Sequence, residues 1–211
     1  MTDVLIPGGR DVRGTLEVPD DPDAVVVACP PHPQHGGSRT DQRLVAVSTA
    51  LQDAGIACLR FDYGPWDEGH GEREDVRNAV RWAREADRWD GDPPVGVFGY
   101  SFGASQALLA AAGLENGAID AVSVLAPTVR LGDELDALEA YGRLSVPVQV
   151  CYGERDTTVE WEPLVERARD RSDDVTSLPA DHFFLGTRPE IASVVREFFE
   201  RTLLEPAGLE G

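Results

Sequence analysis

A short apolar run leads into a Gly-x-Ser-x-Gly sequence, and this junction constrains the fold more than any other stretch. Residues 95–98 read Val-Gly-Val-Phe and lead into Gly99, Ser101 and Gly103. An apolar strand, this pentapeptide and an Ala- and Leu-rich helix over 105–112 are typical of a nucleophile elbow. The turn leaves no room for Cβ atoms beside the serine, which explains the two glycines. We therefore expect the serine hydroxyl at the edge of a sheet, facing the free N–H groups that begin the next helix.

The whole chain alternates between strand-like and helix-like segments. Continuous apolar, β-branched strands followed by helices favour an α/β fold, a mostly parallel sheet with helices on both faces. An antiparallel hairpin around a Pro-Gly-Gly turn opens the sheet. The sequence predicts eight strands, at 4–6, 14–18, 24–29, 56–61, 95–98, 121–126, 146–152 and 175–178. The predicted helices are 42–54, about 73–89, 105–112, 133–141, 161–171 and 189–203. We expect one domain over 1–205 and a frayed tail over 206–211.

The charge of the chain is strongly negative. It has 38 Asp and Glu residues against 19 basic residues, all of them Arg, and a formal net charge of −19. Such a charge argues against nucleic acid or an anionic membrane as a partner, because phosphate groups would be repelled. The regular apolar segments argue against disorder. We interpret the acids as a solvated surface suited to concentrated salt; the composition resembles that of cytoplasmic proteins from salt-accumulating halophiles.

The cysteines and the first residues predict a cytoplasmic protein. Cys29, Cys58 and Cys151 lie in or at the end of strand-like runs, and an odd, sparse set favours buried thiols over a disulfide framework. The sequence begins without a charged segment followed by an apolar one, as a signal peptide would have. No apolar run approaches the roughly 18 residues that span a bilayer.

A serine hydroxyl needs a histidine and a carboxylate to become a nucleophile, and the order Ser, acid, His is expected after an elbow. His182 is the only histidine that follows Ser101, and it lies just after the last predicted strand. Asp156 follows the preceding strand and is the favoured acid. Glu154 is its rival, whereas Asp181 is too close in sequence to its neighbour to orient that imidazole easily.

The developing oxyanion needs two backbone donors near the serine. One is the N–H group of Phe102. The second is expected from the loop 30–38, where prolines lack an N–H group and leave Gln34 or His35 as donors. Two histidines in this loop raise the question of a metal, but no carboxylate or cysteine stands at ligand spacing, and we predict no metal site.

Four segments, in their order along the chain, resemble the α/β-hydrolase superfamily and in particular the small lidless enzymes grouped with dienelactone hydrolase. They are His32-Pro33-Gln34-His35-Gly36-Gly37, the elbow from Gly99 to Gly103, Gly153-Glu154-Arg155-Asp156, and Ala180-Asp181-His182-Phe183-Phe184. The resemblance implies that Ser101 is the nucleophile, Asp156 the acid and His182 the base. It also implies that Gln34 and Phe102 form the oxyanion hole.

The implied activity is hydrolysis of a small-molecule ester through an acyl-enzyme, without a cofactor. Only about twenty residues, 127–145, separate the sixth and seventh strands, too few for a cap domain, so the site should be open and bounded by loops near His35, Trp66 and Thr128. Two departures bear on the substrate. Dienelactone hydrolases carry cysteine where this chain has Ser101, and the segment 62–67 replaces an Arg-Gly type sequence of relatives.

Two other functional classes remain open at this point. A thioesterase or acyltransferase would keep the same three residues and change only the leaving group or acceptor. A non-catalytic binding protein on the same fold would typically lack one of the three, and this chain has all of them. The sequence leaves the natural substrate, its chain length and the oligomeric state open.

Overall fold

The computed structural model describes residues 1–84, 89 and 91–205, and within them a large sheet runs through the centre of the molecule. The described strands are β1 (Thr2–Ile6), β2 (Val12–Glu17), β3 (Ala24–Cys29), β4 (Ile56–Asp62), β5 (Val95–Tyr100), β6 (Ala121–Leu125), β7 (Arg130–Gly132), β8 (Leu135–Asp136), β9 (Val148–Gly153) and β10 (Asp174–Leu178). The strand order of the large sheet is β1-β2-β4-β3-β5-β6-β9-β10. The pairs β1–β2 and β2–β4 are antiparallel, and all other neighbours in it are parallel. The predicted eight-stranded, mostly parallel sheet and its opening hairpin are confirmed.

Helices cover both faces of the sheet, as predicted. The described helices are α1 (Gln42–Asp53), α2 (His70–Arg84), α3 (Phe102–Ala111), α4 (Ala137–Gly142), α5 (Glu162–Arg171) and α6 (Arg188–Phe199), with a short 3-10 turn at Pro33–His35 and a π-helical turn at Glu200–Leu204. One face of the sheet packs against α1 and α6, and the other against α2, α3, α4 and α5. The predicted end of the second helix near residue 89 and the predicted tail over 206–211 fall on residues that are not described.

The two layers follow from the apolar pattern of each segment. All six residues of β3 and all six of β5 are buried, which explains why these strands read as continuous apolar runs. In the helix α2 apolar residues instead recur at helical spacing among charged ones, and Val76, Ala79, Val80 and Ala83 are buried. Of its charged residues only Arg81 is exposed, whereas Glu72 and Asp75 are buried and the others are half-buried.

The segment between β6 and β9 corrects one helix prediction. A helix was expected over 133–141, but Leu135–Asp136 pairs with Arg130–Gly132 as a small antiparallel hairpin, and α4 begins only at Ala137. The physical reason is the Asp136 side chain, which accepts from the Glu139 N–H at 2.8 Å and so caps the helix at that point. This segment adds a hairpin and a short helix, and no cap domain covers the sheet.

The parallel strands β3, β5, β6, β9 and β10 end at the same edge of the sheet, where their loops meet. These loops carry the candidate residues. None of the helices among the described residues is long and apolar enough to cross a bilayer.

Candidate active site

Ser101 occupies a sharp turn between β5 and α3, in a backbone conformation that residues with a side chain rarely adopt. Its φ and ψ angles are 55° and −118°. A Cβ atom on Gly99 would lie 2.3 Å from the Gly103 carbonyl oxygen, and one on Gly103 would lie 2.3 Å from the carbonyl oxygen of Cys29. Only glycine fits at either position, so the pentapeptide folds as the sequence predicts.

The structure brings Ser101, His182 and Asp156 into one hydrogen-bonded chain. The Ser101 Oγ atom lies 2.9 Å from His182 Nε2, and His182 Nδ1 lies 2.7 Å from Asp156 Oδ2. Since a carboxylate only accepts, the Nδ1 atom carries the imidazole proton and Nε2 is left to accept from the serine hydroxyl. This is the arrangement in which an imidazole can remove the proton of a serine.

The loops after β9 and β10 are bonded to each other, and this brings Asp156 to His182. The N–H groups of Glu154 and Arg155 donate to the carbonyl oxygens of Leu178 and Ala180, at 2.9 and 3.0 Å. Asp156 is buried, and its Oδ1 atom accepts from the Thr158 N–H at 2.8 Å. Both of its oxygens are therefore engaged, which holds the carboxylate in one orientation.

The two rival acids lie elsewhere. Glu154 is exposed on the same loop. Asp181 is exposed as well, and its Oδ1 atom accepts from the N–H of Phe183 at 3.0 Å, a bond within its own turn. Of the three acids considered from the sequence, Asp156 is the one whose carboxylate reaches the imidazole.

The start of α3 offers one oxyanion donor and the loop after β3 another. Among the described residues, the N–H of Phe102 has no acceptor. The N–H of Gln34 donates to His32 Nδ1 at 3.3 Å, and the N–H of His35 donates to the His32 carbonyl at 3.0 Å. Both donors expected from this loop are thus engaged within the 3-10 turn, and Gln34 does not line the cavity above Ser101.

Sequence reasoning missed the N–H of His32. Pro30 and Pro31 have none, so His32 is the first residue after β3 that has a backbone donor, and within the described part of the chain no acceptor is found for it. His32 lines the same cavity as Ser101. The sequence does show that His32 is the first residue after the strand that is not a proline. Only the structure shows that its N–H group, unlike those of Gln34 and His35, is not used in the 3-10 turn.

Two effects favour the neutral form of the His32 imidazole. Burial lowers its pKa, and the neighbouring His35 lowers it further against an opposing effect of Glu72. A neutral ring allows Nδ1 to accept the Gln34 N–H, so this ring supports the 3-10 turn. The His32 and His35 rings stack with centroids 4.4 Å apart. No group of three or more His, Cys, Asp or Glu side chains suited to a metal occurs among residues 1–84, 89 and 91–205.

A cavity of about 510 Å³ opens above Ser101 and His182. Two residues expected to contact substrate, His35 and Thr128, lie in its wall. The structure does not place Trp66 there. Its ring lines an adjoining cavity of about 390 Å³ and contacts the His32 and Phe102 rings, with centroids 4.7 and 5.9 Å apart. Among the wall residues that were not anticipated from the sequence are Arg43, Tyr100, Val159 and Phe183.

No family model and no curated protein matches this chain. Solved structures do. A serine hydrolase without a lid from Xanthomonas campestris matches with a TM-score of 0.79 at 21% identity, over 97% of this chain and 96% of that one. A dienelactone hydrolase from Anabaena variabilis matches with a TM-score of 0.79 at 23% identity, over 96% and 97%. An esterase from Pyrococcus furiosus matches with a TM-score of 0.80 at 19% identity, over 95% and 90%.

These similarities extend over almost the whole of each chain and establish the fold. The molecule has the α/β-hydrolase fold, with a mostly parallel eight-stranded sheet and no cap domain.

Proposed function

We propose that this protein is a serine hydrolase that cleaves small carboxylic esters through an acyl-enzyme. The observation that carries the proposal is the continuous path from Ser101 Oγ through the His182 imidazole to Asp156 Oδ2, with distances of 2.9 and 2.7 Å. The path opens into a cavity large enough for a small ester. The serine hydrolases and esterases among its structural neighbours support the same assignment.

In the first half of the proposed reaction, His182 Nε2 takes the proton of Ser101 as the oxygen attacks the ester carbonyl. The resulting imidazolium keeps its Nδ1–H bond to Asp156, whose negative charge stabilises it. The same proton then passes to the alkoxy oxygen as the bond between that oxygen and the carbonyl carbon breaks. An alcohol leaves, and the acyl group stays on Ser101.

The second half repeats these steps with water. His182 removes a proton from the water molecule as it attacks the acyl carbon, and returns the proton to Ser101 as the acid is released. In both halves we assign the oxyanion to the N–H groups of Phe102 and His32, at the positive end of α3. Gln34, implied as the donor by family resemblance, donates its N–H to His32 instead. The side chains and water account for every proton, so we propose no cofactor and no metal.

The test is hydrolysis of p-nitrophenyl acetate, together with labelling by a fluorophosphonate probe, in Ser101→Ala. We expect the loss of several orders of magnitude in kcat, because the three residues act as a unit, and no labelling. Ser193→Ala is the matched control, since that hydroxyl bonds to Glu197 on α6. Unchanged turnover in purified Ser101→Ala would overturn the assignment. A competing series of thioesters and acyl acceptors separates an esterase from a thioesterase or acyltransferase.

We also propose that the protein works in a cytoplasm of high salt. All three cysteines are free and buried, which fits a reducing compartment. Among the described residues, the buried carboxylates are Glu72, Asp75 and Asp156, and each accepts hydrogen bonds. The other described acids lie at or near the surface, as the interpretation of the composition requires.

A further inference from the structure

Two side chains from other elements, Tyr100 at the end of β5 and Arg43 in α1, donate hydrogen bonds to the turn that carries His182. The Tyr100 hydroxyl donates to the His182 carbonyl oxygen at 2.9 Å. The Nη1 atom of Arg43 donates to the next carbonyl, that of Phe183, at 2.8 Å. Phe183 itself is 57% exposed, so the turn has little packing on its outer side. The buried Phe184 side chain and the backbone bonds from the loop after β9 hold the turn on its inner side, and these two bonds add side-chain support at His182 and Phe183 themselves.

Arg43 is well placed to act as a rigid support. Its guanidinium pairs with Asp41 through Nε at 2.9 Å and through Nη2, and its Cζ lies 4.5 Å from the centre of the Tyr100 ring. Asp41 also accepts the Arg43 N–H at 2.9 Å and caps the start of α1. The guanidinium is thus anchored to a helix end, packed on an aromatic ring and bonded to the histidine turn at once.

The hydroxyl of Tyr100 supports the same turn through its bond to the His182 carbonyl oxygen. Burial raises the pKa of Tyr100 to about 12, against the opposing charge of Arg43. The hydroxyl therefore stays protonated and remains a donor to His182. Together the two side chains hold the two carbonyls that follow the Cα atom of His182, whose imidazole bonds to Ser101 and Asp156.

We propose that Arg43 is a positioning residue, which holds the turn at His182 so that the imidazole stays within hydrogen-bonding distance of Ser101 and Asp156. This inference rests on the proposed function of these three residues. Arginine suits the task because its planar fork bonds the carboxylate and the carbonyl together, whereas a lysine ammonium acts as a point charge. Arg43 also lines the cavity, so the rival role is direct contact with an anionic part of the substrate.

Steady-state kinetics distinguish the two roles. For p-nitrophenyl acetate, Arg43→Met should lower kcat by about 10- to 100-fold, since small errors in placement cost this much, and leave KM within about twofold. Arg43→Lys should lose less of kcat. The control is Arg188→Met, because exposed Arg188 also joins α1, through Gln42 at 3.1 Å, and among the described residues it donates no hydrogen bond to the carbonyls of His182 and Phe183. A raised KM with unchanged kcat, or no change at all, would overturn the proposal.

Proton NMR gives a readout that does not depend on turnover. The Nδ1 proton of His182, bonded to Asp156, should resonate far downfield and be identified by its loss in His182→Gln. We expect this signal to broaden through exchange with water in Arg43→Met, and to stay sharp in Arg188→Met. A sharp signal in Arg43→Met would refute the positioning role. If Arg43→Met does not fold, Arg43→Lys decides: a kcat and a signal equal to those of the wild type would refute it.

The two proposals fail separately. A wild-type protein without esterase activity or fluorophosphonate labelling refutes the proposed function, while the NMR comparison still measures whether Arg43 holds the imidazole. An active wild type whose Arg43 variants keep kcat and the sharp signal refutes only the inference.

Discussion

The Nδ1 atom of His182 lies 2.7 Å from Oδ2 of Asp156, and the Asp156 side chain has no exposed surface. A buried carboxylate whose other oxygen accepts the Thr158 N–H cannot turn away from the imidazole. The pair therefore sets both the tautomer and the orientation of His182, which is the role that the proposed function gives to Asp156.

Asp156→Asn should lower kcat by about 10⁴-fold, because an amide does not stabilise the imidazolium and favours the wrong tautomer. Glu154→Gln is the matched control, on the same loop but exposed, and should stay within about twofold of the wild type. Ester hydrolysis at a fixed pH measures both. If Glu154→Gln proves the more damaging change, the acid has been misassigned.

The N–H of His32, and not that of Gln34, should hold the oxyanion. Phenylboronic acid forms a tetrahedral adduct with an active serine, and its anionic oxygen mimics the oxyanion. In ¹H–¹⁵N spectra we expect the amide protons of His32 and Phe102 to move downfield on binding, with a small change at Gln34. The opposite ranking of His32 and Gln34 would restore Gln34 as the donor.

Gly103→Ala should lower the free energy of unfolding by about 1–3 kcal/mol or more and abolish activity. The added Cβ atom would lie 2.3 Å from the carbonyl oxygen of Cys29 and 2.4 Å from that of Pro30. Gly132→Ala is the control, since no atom lies within 4 Å of the added Cβ. Urea unfolding of the two variants measures the difference. Equal stabilities would show that the loop after β3 does not pack tightly on the elbow.

The melting temperature should rise by about 10 °C or more between 0.05 and 2 M KCl, equivalent to roughly 3 kcal/mol for a chain of this length. Surface carboxylates repel each other across ~30 Å at about 0.01 M salt but across only ~3 Å at about 1 M. Sucrose, which strengthens burial without screening charge, is the control and should raise the melting temperature less. A melting temperature independent of KCl would leave the acidic surface without this explanation.

The three thiols should not react with Ellman's reagent at pH 8 until the protein unfolds. Burial raises the pKa of Cys58 and Cys151 from 9.0 to about 12, and that of Cys29 further still. Above about pH 9 the thiols of the unfolded chain lose their protons, whereas the thiols of the native protein keep theirs. The free energy of unfolding should therefore fall as the pH rises above about 9. Fast reaction of any thiol in native protein would contradict the burial. The control is the protein unfolded in urea, in which all three thiols should react with the reagent.

Local steric rules were enough to find the elbow. Gly99 and Gly103 are needed wherever a strand turns this sharply into a helix, and that requirement is written within five residues. The buried strands were found for a similar reason, since a strand with helices on both faces is apolar at every position. The helix expected over 133–141 was wrong at its start because the pairing of Leu135–Asp136 with Arg130–Gly132 competes with helix formation.

The sequence by itself determined the succession of the eight strands of the large sheet and of the helices around them, the place of Ser101, and His182 as the one histidine that follows it. Only the tertiary structure decided which acid meets that histidine, which N–H groups of the loop after β3 are already engaged, and which cavity the Trp66 ring lines. The physical reason is the distance along the chain over which each interaction acts. Steric fit and apolar periodicity act between neighbours along the chain, whereas these contacts join loops that meet only when the parallel strands end at one edge of the sheet.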